Sequence, residues 1–144
     1  VSNVPWHPLT DVKALVAADK FDLGVTSAVN RILPHLNNRT LRGVREFAQA
    51  VASRLRLVDF AHRVNLPRNP PAKGVTVHDV YAARGDAVTV EAHLDGSHKT
   101  TWYVKHAIVS VGSRKVFVLS LHCLMDPIRR ADGTTLSPTW KESQ

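Results

Sequence analysis

The sequence predicts an α+β fold, with N-terminal helices packed on a twisted antiparallel β-meander. Apolar residues recur at helical spacing up to about Arg56 and at a spacing near two after Gly74. The Pro-rich, basic stretch Leu66-Pro67-Arg68-Asn69-Pro70-Pro71-Ala72-Lys73-Gly74 separates the two regimes and reads as an ordered loop. Helices followed by strands, rather than alternating with them, put the helices on one face of an antiparallel sheet.

The first helix is expected from Leu9 to about Asp19, with Val12, Leu15 and Val16 on one side and Pro8 or Thr10 at its start. Phe21 to Gly24 reads as a turn. A second helix covers Thr26 to Leu36, and Pro34 implies a kink or early stop. Thr40 is a candidate cap for a third helix, from Leu41 to Arg56, whose apolar stripe is Val44, Phe47, Ala48, Val51 and Leu55. Four strands follow: Val75 to Tyr81, Val88 to Leu94, Trp102 to Val111 and Lys115 to Leu124. Asp95-Gly96 and Gly112-Ser113 supply hairpin signals. Residues 126–144 are polar, with Pro127, Gly133 and Pro138, and read as a loosely packed tail after a domain spanning residues 1–125. Within the tail, Arg129-Arg130 reads as a solvated charge pair, and Trp140 as a pin to the body.

Composition narrows the function. The chain has 144 residues, the length of one domain, and 44% hydrophobic residues, enough for a core. The single cysteine, Cys123, excludes an internal disulfide framework and, at the end of an apolar run, reads as a small buried hydrophobe. No apolar run approaches the roughly 20 residues that span a bilayer. The first residues carry no basic and apolar leader pattern, so the expectation is a cytoplasmic protein with no membrane partner. Lys and Arg number 19 against 12 acids, a net charge of +7 that suits a polyanionic partner.

The chemistry-bearing residues interrupt apolar runs. On a strand, residues two apart share a face, so Tyr103 projects with Lys105 and Ser120 with His122. Antiparallel pairing of the last two strands merges these into one surface, which His78 joins from the first strand and His62 from before the proline loop. RNA cleavage without a metal needs a base for the 2′-hydroxyl proton, an acid for the leaving 5′-oxygen and cations for the phosphorane. Histidine serves as either near neutrality, and a base–acid pair of histidines predicts a bell-shaped pH–rate profile. Lys105, Arg63 and Lys73 are the candidate phosphate-binding cations, and Ser120 a further substrate contact. His93, His98 and His106 match no zinc-ligand spacing, and neither a metal nor another cofactor is expected.

The order of these motifs resembles the MqsR family of bacterial toxins, messenger-RNA-cleaving enzymes of toxin–antitoxin pairs with a RelE-like fold. His7-Pro8-Leu9-Thr10-Asp11-Val12-Lys13 looks like the family's opening helix, and Thr26-Ser27-Ala28 like the start of its second. Asp59-Phe60-Ala61-His62 is similar to its Asp-Phe-Tyr-Lys, and Val77-His78-Asp79-Val80-Tyr81 to its Trp-Gln-Asp-Val-Tyr. Tyr103-Val104-Lys105 is similar to its Tyr-x-Lys strand, and Leu119-Ser120-Leu121-His122 to its Val-Ser-Phe-Lys. The resemblance runs from about Trp6 to Leu124. It implies a ribosome-independent endoribonuclease acting on single-stranded RNA, a cognate antitoxin as partner, and catalytic positions at His62, His78, Tyr103 and His122. The tyrosine alone matches, since the family carries lysine, glutamine and lysine at the other three. The alternative function is a non-catalytic nucleic-acid-binding module, or an inactive toxin relative, using the same basic face.

Overall fold

A computed structural model describes residues 4–23, 26–68, 73–96, 98–111 and 114–138, with the backbone alone for 26–28, 111 and 114–118. The architecture is α+β: N-terminal helices cover one face of a sheet whose four long strands form an antiparallel meander. Helix α1 (Leu9–Ala17) buries Leu9, Val12 and Val16. It closes with a Schellman-type cap, in which Asp19 takes φ +59° and the Lys20 amide donates to the Leu15 carbonyl at 2.9 Å. The expected turn at Phe21 is instead a short edge strand, β1 (Phe21–Asp22), parallel to the last long strand. Helix α2 (Thr26–Ile32) gives way to a 3-10 turn at Leu33–His35, as Pro34 requires.

Helix α3 (Leu41–Arg54) starts at Thr40, whose hydroxyl accepts from the Gly43 amide at 3.1 Å. Gly43 must be glycine, because a Cβ there would lie 2.1 Å from the Asn38 carbonyl oxygen. The predicted stripe is the buried one: Val44, Phe47, Ala48, Val51 and Leu55 all have no exposed surface. Phe47 meets Trp102 edge-on, with centroids 5.1 Å apart.

Strand β2 (Phe60–Pro67) extends into the stretch read from sequence as loop, and Pro67 ends it. Edge position makes this tolerable, since a proline amide has no donor to lose on the outer side. Strands β3 (Val75–Arg84), β4 (Thr101–Val111) and β5 (Arg114–Cys123) complete the sheet, in the order β1-β5-β4-β3-β2. The core rows are Tyr81–Val104–Leu121 and Ala83–Trp102–Cys123.

The expected strand at Val88–Leu94 does not form. Gly85–Val88 is a helical turn, α4, and Glu91–His93 a 3-10 turn. Thr89 donates its hydroxyl to the Gly85 carbonyl, and the Asp95 amide donates to His35. Both neighbours of β4 are already supplied by β3 and β5, so this segment satisfies its backbone locally and against the 35–37 connection. Its alternation reflects burial of Val88 and Leu94 rather than sheet pairing. Asp95-Gly96 is accordingly not a hairpin turn.

The stretch after β5 is not a loose tail as far as Pro138. Strands β6 (Ile128–Arg129) and β7 (Thr135–Leu136) pair, and Arg130 is buried rather than solvated. Its Nε donates to the Ala82 carbonyl at 3.0 Å, and a terminal nitrogen lies 3.3 Å from Asp59 Oδ1. The Ala131 amide donates to Phe60 at 2.9 Å. Trp140 and the Gly112-Ser113 turn lie outside the described residues. Among the described residues, no helix is long and apolar enough to cross a membrane.

His106 lies on the helix-covered face, fully buried against Tyr81. Burial pushes its pKa down to about 3, and the nearby His7 and His78 act in the same direction. The unfolded chain takes up a proton below about pH 6.5 that the folded chain refuses, so stability falls as pH drops through that window. Between pH 6.5 and 4 this one group accounts for a loss of about 3 kcal/mol, at about 1.4 kcal/mol per pH unit. Denaturant unfolding across that range should show a steeper acid slope for the native chain than for His106→Leu, whatever the variant's absolute stability. Equal slopes would remove His106 as the cause.

Candidate functional site

The open face of the sheet collects residues from four strands. Tyr103 stands directly opposite His122, Lys105 opposite Ser120 and Val80, and His62 opposite Val80. His78, opposite Val64, joins the same face. Thus His62, His78, Tyr103, Lys105, Ser120 and His122 all share it. On β4 and β5 this follows from simple alternation, with Trp102, Val104, Leu119, Leu121 and Cys123 pointing into the core. On β2 it needs a bulge. Phe60 is buried in the core opposite Tyr81, and two residues further along a regular strand His62 would face inward too. The register shift between Phe60 and His62 turns the imidazole outward.

Arg63 does not join the group. It stands opposite the buried Asp79 in the strand register and so belongs to the other face, where its Nε donates to the Val4 carbonyl at 2.9 Å and its guanidinium lies 5.3 Å from the Trp6 ring. Asp79 receives the Trp6 and His7 amides, both at 2.8 Å, so Arg63 and Asp79 clasp the N-terminal segment. Lys73 is exposed, two residues before β3 and at the end of the sheet away from Tyr103 and His122.

The face divides into two groups bridged by Lys105. His62 and His78 are diagonal neighbours on β2 and β3. Tyr103 and His122 stack, with centroids 4.7 Å apart and planes 14° from parallel. With strands about 4.8 Å apart and about 3.3 Å of rise per residue, the Cα atoms of His62 and of His78 each lie about 16 Å from that of His122. Side chains stand roughly perpendicular to the sheet, so that separation persists at the rings. On that spacing His62 and His78 form a group set apart from His122, which has Tyr103 and Lys105 as its neighbours on this face.

Hydrogen bonding sets the tautomers. His122 Nδ1 lies 2.7 Å from the Cys123 carbonyl oxygen, which only accepts, so Nδ1 carries the hydrogen and Nε2 offers a lone pair. His78 Nδ1 likewise lies 3.2 Å from the Thr76 carbonyl. Burial lowers the His122 pKa below its ordinary value; the Cys123 hydrogen bond opposes this, while Arg31 and Lys105 add to it. Burial lowers that of His78 as well, with Thr76 opposing and Lys105 and His7 adding. Both imidazoles are consequently neutral at pH 7, in the form of a base. Burial raises the Tyr103 pKa, so its hydroxyl keeps its proton and remains a donor.

Two contributors to the site carry no signal in the sequence. Arg31, in the last turn of α2, places positive charge near His122. Residues 124–128 form the far wall of a pocket of about 180 Å³ that Tyr103 and His122 also line. Cys123 is buried as expected. Burial pushes its thiol up to about 12, and Sγ lies 3.4 Å from His35 Nε2. Among the described residues, no three His, Cys, Asp or Glu side chains are grouped to hold a metal ion. Comparison with models of protein families, with curated proteins and with solved structures found no match.

Proposed function

We propose that this protein is an endoribonuclease toxin of the MqsR kind, with a RelE-like fold, that cuts single-stranded RNA without a metal and is neutralised by a cognate antitoxin. The observation that carries the reading is the stack of Tyr103 on His122 beside Lys105, on an open sheet face in a chain of net charge +7. The collinear motifs and the helix-then-meander order support the family.

His122 Nε2 takes the 2′-hydroxyl proton as O2′ attacks phosphorus. Tyr103 donates a hydrogen bond to a non-bridging oxygen, and the Lys105 ammonium neutralises the phosphorane and protonates the departing O5′. The P–O5′ bond breaks, leaving a 2′,3′-cyclic phosphate and a 5′-hydroxyl. His62 and His78 line the path of the adjoining strand, where they contact substrate rather than the scissile bond. Base chemistry here needs neutral His122, so the bell-shaped profile expected from two histidines reduces to its acid limb. In excess EDTA, the single-turnover rate should rise with pH through an apparent pKa below 6.5 and stay level to pH 8. A fall between pH 6.5 and 8 would demand a histidine acid, and a rate level down to pH 4 would eliminate His122 as base.

A further inference from the structure

The pocket beside the Tyr103–His122 stack has features that phosphate binding does not explain. Of the residues that line it, Leu124, Pro127 and Ile128 are apolar, and Met125 leaves 62% of its surface exposed. Among the described residues its one acid is Asp126, which has no hydrogen-bond or ion-pair partner there. A carboxylate repels a phosphodiester, and here it stands on the rim of a site otherwise marked by Lys105 and Arg31. Apolar walls and an aromatic stack suit the flat faces of a base, and a free carboxylate suits an edge made of donors.

The wall is held in place. The Leu124 amide donates to the Thr101 carbonyl at 2.9 Å, the Thr101 hydroxyl to Ser137 at 3.1 Å, and Arg130 Nε to Ala82 at 3.0 Å. The segment carrying Asp126 is thus fastened on both sides to β3 and β4, a rigid support of the sort that recognition needs.

We propose that this pocket is a base subsite that selects guanine, with Asp126 as its specificity-determining residue. The inference rests on the RNA-cleaving reading above and extends it. Guanine alone among the four bases presents two adjacent donors, N1–H and the N2 amino group, on its Watson–Crick edge. Both oxygens of one carboxylate accept from that pair. Adenine and cytosine each set an acceptor beside their amino group, and uracil flanks its single N3–H with two carbonyls, so each brings a lone pair against the carboxylate.

Binding tests the subsite apart from cleavage. The probes are fluorescent oligouridylates with 2′-O-methyl riboses, which cannot be cut, carrying one central guanine, adenine, cytosine or uracil. The native chain should bind the guanine probe roughly tenfold or more tightly than the others, the scale of one bidentate base contact. Asp126→Asn should erase that preference while leaving affinity for the all-uracil probe unchanged or higher. The side chain is exposed and has no partner among the described residues, so the variant should fold. Equal affinities for all four probes, or a guanine preference that survives in Asp126→Asn, would overturn the subsite even if RNA is cut. No binding to any probe would overturn it together with the reading beneath it.

Discussion

Replacing His122 by alanine lowers single-turnover RNA cleavage about 10²- to 10⁴-fold, the usual contribution of a positioned general base, and leaves RNA affinity within a few-fold. The two halves of that expectation have different physical origins. Turnover depends on the Nε2 lone pair, which the hydrogen bond from Nδ1 to Cys123 keeps directed away from the core. Affinity depends on the cations, Lys105 and Arg31 near the stack and the remaining surplus of basic residues, through counterion release. Losing the ring also removes one face of the Tyr103 stack, so a modest drop in affinity is built into the prediction. Paired measurements of single-turnover rate and equilibrium binding, on native chain and variant, separate these effects. A variant with unchanged turnover would take His122 out of the mechanism and move the base to the His62–His78 group. A variant that loses binding and turnover equally would make the imidazole a substrate contact.

Replacing Asp59 by alanine costs about 3–5 kcal/mol of folding stability, the range for breaking a buried ion pair from one side. Asp59 is fully buried and serves three partners: the Arg56 amide at 2.9 Å, the Arg56 guanidinium at 3.0 Å and Arg130 at 3.3 Å. Arg56 is half exposed and recovers water when the carboxylate is lost. Arg130, only 8% exposed, does not, and it carries most of the cost. The surface pair Arg42–Glu46 has a similar 3.1 Å contact with 87% and 49% exposed side chains, and Glu46→Ala should cost no more than about 0.5 kcal/mol. Denaturant titration of the two variants makes the comparison. Near-equal costs would show that Arg130 finds water or another partner. Because Arg130 fastens residues 126–138 to β3, Asp59→Ala should also speed proteolysis in that stretch.

Where one local rule dominated, sequence and structure agree. Pro8, Pro34 and Thr40 mark helix boundaries as their chemistry requires, and the α3 stripe is buried residue for residue. Alternation on β4 and β5 suffices to bring Tyr103, Lys105, Ser120 and His122 to one face. What was not legible depended on the tertiary environment. Val88–Leu94 alternates like a strand, but both edges of β4 were taken. The side of β2 that His62 and Arg63 occupy turns on a one-residue bulge that leaves no composition signal, so the sequence groups Arg63 with the substrate cations although it clasps the N-terminal segment. Arg130 looked like an exposed charge because its partner, Asp59, is 71 residues away in sequence. Asp126 joins the pocket only because that anchor folds its segment back beside Tyr103.

The most direct test of a metal-free, His122-dependent ribonuclease is the chemistry of the RNA ends. Purified native chain and His122→Ala are each incubated with a mixed-sequence single-stranded RNA in excess EDTA, and the termini are identified. The native chain should yield 2′,3′-cyclic phosphates and 5′-hydroxyls, and these ends should nearly disappear in the variant. Native cleavage that leaves 5′-phosphates, or RNA that is bound and never cut, would contradict it.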